Sequence, residues 1–132
     1  MINNHCFSSP SFLNSRLAGI ILLLAVTSSF AHHSSAMFDK QIVRHVTASV
    51  TEFQWTNPHV WIQISIENES GEIEEWSIEG LGPNSLSRKG WRRNSFKAGE
   101  IIEIKFNPMR DGSKAGGFIG AKFENGQTIG NW

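Results

Sequence analysis

Residues 59–67, HVWIQISIE, alternate so strictly that a strand with one buried face is the arrangement that satisfies them. Val60, Ile62, Ile64 and Ile66 share one face. His59, Trp61, Gln63, Ser65 and Glu67 share the other. The segment EEWSIEG repeats the pattern, with Trp76 and Ile78 inward and Glu75, Ser77 and Glu79 outward. Between them, Glu69-Ser70-Gly71 suits a three-residue hairpin loop with Gly71 in the left-handed position. That loop sets the register. Ile62 meets Ile78 and Ile64 meets Trp76 on the core side, while Trp61 meets Glu79 and Gln63 meets Ser77 outside. A slip of one residue would set apolar side chains against polar ones, so turn and pattern agree.

The rest of the chain extends this reading. Val46, Ala48 and Val50 alternate, then the phase shifts by one to Phe53 and Trp55, which predicts a bulge that bends the strand. Pro83 with Asn84 or Ser85 starts a short helix and Gly90 stops it, with Leu86 and Trp91 facing inward. A turn at Ala98-Gly99 leads into a strand carrying Ile102, Ile104 and Phe106 on one face. RDGSKAGG reads as a flexible glycine-rich loop, FIGAKF as a strand, Asn125-Gly126 as a hairpin turn, and QTIG as a last short strand. Three strands, a short helix, then two or three strands predict an all-β fold. It is a small OB-like, partly open barrel of five to six strands, with the helix between the third and fourth. The alternative is a small sandwich, which offers the helix no natural place.

Residues 17–26, LAGIILLLAV, carry no charge and follow Arg16. A span across the bilayer needs roughly 20 apolar residues, so this run is too short and fits a secretory signal, with an uncleaved N-terminal anchor as the alternative. Ser29 and Ala31 are small residues suited to a peptidase site, so cleavage is expected after Ala31. The predicted organisation is a signal peptide at 1–31, an extended N-terminal segment at 32–45 and the barrel at 46–132. Cys6 leaves with the signal. The mature chain then has no disulfide, thiolate ligand or cysteine nucleophile, and no membrane span. The 12 basic and 12 acidic residues balance, which argues against a general nucleic-acid binder.

The segments HHSSAMFD, TEFQWTNPHVWI, EEWSIEG, PNSLSRKGW and NPMRDGSKAGG together resemble a family of small exported bacterial proteins known only as domain of unknown function 6152. The resemblance runs from His32 to about Thr128. It implies a periplasmic protein of a Gram-negative bacterium and brings no activity, ligand or catalytic residue.

WTNPHVW holds the strongest candidate site. Trp55, Asn57, His59 and Trp61, with Glu79 opposite Trp61, suit an aromatic face that stacks on sugars or other flat rings while polar groups fix orientation. In OB folds the second and third strands commonly carry the ligand. The structural alternative makes Pro58 a terminator, Asn57 a turn cap and the tryptophans core mass covered by the N-terminal segment. His32 and His33 suggest a second chemistry. A new N-terminal His32 offers its amine and ring nitrogen to Cu²⁺, His33, His45 or His59 adds a further nitrogen if the fold brings it near, and Met37 could serve Cu⁺. Copper is therefore the candidate cofactor, with His32, His33 and His59 as ligands. Arg88, Lys89, Arg92 and Arg93 could hold an anion or phospholipid head groups, against the simpler reading of a solvated helix face. Glu67, Glu69, Glu72, Glu74 and Glu75 lack the spacing of a Ca²⁺ loop and read as a solubilising tip. Nucleophilic triads have poor material, with no mature cysteine and only Asp39 and Asp111 as aspartates. The expectation is a non-enzymatic periplasmic binding protein for a small molecule. Its alternatives are copper binding or delivery through His32-His33, and an accessory subunit for a periplasmic protein.

Overall fold

The computed structural model describes residues 35–132. The expected leader and its expected cleavage site, with His32 and His33, lie outside the described residues. Six strands and one helix follow in the order β1 (Arg44–Gln54), β2 (Trp61–Glu67), β3 (Ile73–Glu79), α1 (Pro83–Arg88), β4 (Ile101–Pro108), β5 (Ala115–Phe123) and β6 (Thr128–Gly130). The sheet runs β3-β2-β1-β4-β5-β6, and β3 also pairs with β5, so the first five strands close into a barrel. The fold is the all-β, OB-like barrel expected, with its single short helix between β3 and β4.

The hairpin takes the predicted register. Ile62 pairs with Ile78, Ile64 with Trp76, Trp61 with Glu79 and Gln63 with Ser77. Gly71 adopts φ +80°, and its N–H donates to the Asn68 carbonyl at 2.9 Å. The left-handed region is open to glycine because it has no Cβ. The bulge falls between Val50 and Glu52 in the β1–β2 pairing. It lets one long strand serve two neighbours. The first half of β1 pairs with β4, from Arg44 opposite Phe106 to Ser49 opposite Ile101. The second half pairs with β2, ending with Gln54 opposite Trp61.

Burial follows the alternation. Val60, Ile62, Ile64, Ile78, Ile104 and Phe106 are fully buried, joined by Val50, Ile102 and Ala121. α1 begins with Pro at its first position, where a missing N–H costs nothing, and buries Pro83 and Leu86. Trp91 and Phe96 follow it into the core, where both contact Phe53 and Phe118.

One expectation needs correction. The AGG end of RDGSKAGG, read as loop, forms the start of β5 and pairs in parallel with Ser77–Glu79, closing the barrel. Its glycines serve close approach. A Cβ on Gly116 would collide with the Phe106 ring, and one on Gly117 would lie 2.9 Å from the Phe38 ring. The N-terminal segment is held here too. Phe38 forms an isolated bridge with Met109, Asp39 N–H donates to Pro108 O, and Arg110 N–H donates to Met37 O.

Candidate functional site

Because β2 and β3 bury alternate residues, their remaining side chains form one outer face. Strand register turns that face into rows. One row crosses the barrel as Gln54, Trp61, Glu79, Gly117 and Asn107. The next holds Glu52, Gln63 and Ser77. Trp61 is half-buried, so its indole lies against the barrel and keeps part of its surface open.

Polar groups on this face bond to one another both within the second row and across to the first. Ser77 Oγ donates to Gln63 Oε1 at 2.6 Å, and Gln54 Nε2 donates to Glu52 Oε2 at 3.0 Å. In the first row, Glu79 pairs with His59 Nδ1, and its side chain is only 9% exposed. Two local features place His59. Thr56 Oγ1 donates to the His59 carbonyl, and the Val60 N–H donates to the Leu81 carbonyl. Engagement of Nδ1 leaves Nε2 as the ring atom free for a ligand, and the His59 side chain is 32% exposed.

The structure thus brings His59, Trp61 and Glu79 together and separates the other two candidates from them. Trp55 packs on the core side against Phe53, with ring centroids 5.9 Å apart. Its carbonyl accepts from Arg93 Nη1 at 3.4 Å. The phase shift that set Phe53 and Trp55 on the inner face explains this. Asn57 is exposed in the β1–β2 loop, next to Pro58 across a cis peptide bond. Of the candidate metal ligands, Met37, His45 and His59 lie in the described residues, and His45 Nε2 is engaged by Glu103 at 3.1 Å. Among the described residues no three His, Cys, Asp or Glu side chains gather as a metal site.

Two features of the site had no signal in the sequence. Phe38 sits over Gly117, the next position along the row from Glu79, so the N-terminal segment borders the site. A second polar cluster lies at the other end of the hairpin. Glu74 accepts from Trp76 Nε1 at 3.0 Å and sits 3.5 Å from Lys114 Nζ. These bonds, the indole donor foremost, hold its carboxyl below the ordinary carboxylate value. The Arg44 guanidinium stacks 4.6 Å above the Trp76 ring in the same groove of about 1140 Å³. Glu74 is saturated by its neighbours, whereas His59 Nε2 and the Trp61 indole have no protein partner among the described residues.

A family model described as "Family of unknown function (DUF6152)" matches residues 20–118. No curated protein matches the chain.

Proposed function

Since the chain belongs to this family of unknown function, we propose its role from the site itself: it is an exported, non-enzymatic binding protein that holds a ring-bearing, hydroxyl-rich small molecule such as a sugar. The observation that carries this reading is the half-buried, outward Trp61 beside a carboxylate fixed by an imidazole. A half-buried indole on the outer face of a sheet offers a sugar ring a stacking surface. Glu79, His59 and the neighbouring Gln63 offer hydrogen-bond partners to its hydroxyls, the usual division of labour in such sites. Titration calorimetry with glucose, N-acetylglucosamine and their short oligomers tests it. Trp61→Ala should abolish binding and leave the melting temperature nearly unchanged. No saturable binding to any of these sugars, or a large loss of stability in Trp61→Ala, would reject the site.

The His59–Glu79 pair favours a second reading, copper binding. Metal-bound histidines nearly always give their other ring nitrogen to a carboxylate or carbonyl, which fixes the ligand atom. Here Glu79 engages Nδ1 and leaves Nε2 for Cu²⁺. His59→Ala should then weaken Cu²⁺ binding, and Glu79→Gln should weaken it about 10- to 100-fold. Trp61→Ala should leave Cu²⁺ binding intact, which separates the two readings. The chelate expected at a processed His32 is tested independently. One extra N-terminal residue should lower Cu²⁺ affinity if the terminal amine is a ligand.

A further inference from the structure

We propose that the connection between β3 and β4 docks this protein onto the surface of an anionic phospholipid bilayer. Residues 80–99 contain Arg88, Lys89, Arg92, Arg93 and Lys97 and no acidic residue, in a chain whose charges balance only as a whole. All five cations are exposed, and none forms an ion pair among the described residues. Of the other described cations, Arg110, Lys114 and Lys122 each lie within 4.0 Å of a carboxylate, while Lys40, Arg44 and Lys105 form no ion pair and lie outside this stretch.

Local structure holds the cluster together. Arg92 Nη1 donates to the Ser87 and Trp91 carbonyls, folding its guanidinium back over the end of α1 beside Arg88 and Lys89. Arg93 is anchored on the Trp55 carbonyl. A guanidinium held by one or two of its five N–H groups keeps the others for phosphate oxygens.

Two further observations favour a bilayer over a dissolved polyanion. Leu81, just before α1 in the same acid-free stretch, is 49% exposed. An exposed apolar side chain in the same connection as the cations suits the lipid interface and gives a soluble polyanion nothing to contact. The charges are also separated along the molecule. Glu67, Glu69, Glu72 and Glu75 are exposed around the β2–β3 turn, at the far end of β3 from α1. With a rise of about 3.3 Å per residue, β3 sets the two ends roughly 20 Å apart. An anionic surface therefore attracts the α1 end and repels the hairpin end, so a chain of balanced charge binds in one orientation.

The test uses the chain from His32, whose strands and helix all lie within residues 44–130. Leaving out residues 1–31 also removes an apolar run that would itself adhere to lipid. Sedimentation with phosphatidylcholine vesicles, with and without phosphatidylglycerol, reads binding. Binding is expected only with phosphatidylglycerol and should fall on raising salt, since the Debye length shortens to about 8 Å at physiological ionic strength. Arg88→Glu should weaken it at least about fivefold, the worth of one cation near an anionic surface. Lys40→Glu, an equal charge change at an exposed lysine of the N-terminal segment, should change it little. Leu81→Ser should weaken vesicle binding and leave retention on a heparin column unchanged. Equal binding to both vesicle types, equal loss in Arg88→Glu and Lys40→Glu, or heparin retention without vesicle binding would overturn the proposal.

Discussion

Ile64 and Gln63 are neighbours in β2 that point to opposite sides of the wall. Ile64 is fully buried, and Ile64→Ala should cost roughly 2–5 kcal/mol in a denaturant melt. Gln63 is half-buried outside and accepts one hydroxyl proton, so Gln63→Ala should cost about 1 kcal/mol or less. Glu74 supplies a pH-dependent term. Its carboxyl is held below the ordinary value by the Trp76 indole, Asn68 and Lys114. A carboxylate with a depressed folded pKa stabilises the fold above its unfolded pKa. That stability is lost as pH falls through the folded value. The melting temperature should therefore drop below about pH 4.5, and Glu74→Gln should flatten that acid limb while lowering stability at neutral pH. Glu103, bonded by Lys122 and His45, and Asp111, bonded by Ser113, are lowered in the same sense and contribute to the same limb. At this scale, alternation tells which face a side chain takes. It set Trp61 outward, but the motif WTNPHVW still grouped Trp55 with it, and nothing local reveals that Phe38 sits over Gly117, one position along the row from Glu79.

The elements divide by the distance over which their partners meet. The β2–β3 hairpin was legible to the residue, because turn and pattern lie within one short stretch and agree. Gly71→Ala should cost about 1–2 kcal/mol, since an L side chain is disfavoured in the left-handed region. The equilibrium unfolding midpoint reads this directly. The bulge in β1 was legible as a phase shift, and α1 through its proline start. The parallel β3–β5 pairing was hidden. It involves three residues on each strand, contributed on the β5 side by an alanine and two glycines whose composition signals a loop. The Phe106 ring and the Asn107 carbonyl against Gly116, and the Phe38 ring against Gly117, explain why side chains are missing there. No periodicity records a contact of that kind.

For the whole molecule, the N-terminal segment acts as a strap across the barrel wall. Phe38 covers Gly117 and pairs beside Met109, while Asn107 Nδ2 donates to the Ile42 carbonyl at 2.7 Å. Phe38 is half-buried, so Phe38→Ala should cost about 1–2 kcal/mol, less than a fully buried ring, as read from the denaturant midpoint. The division of β1 between two neighbours also has a consequence in time. Its pairing with β2 closes a short loop. Its pairing with β4 waits until Phe106 and Ile104 can reach Arg44 and Val46 across the hairpin and the helix. Contacts so distant along the chain form slowly, because the entropy of the closing loop is lost before the pairing compensates it. Until then, one flank of β1 presents unpaired backbone and the faces of Val46 and Ala48 to any other chain nearby. The interval before β4 arrives is thus when this protein is most exposed to aggregation, and β1 is the segment through which it would begin.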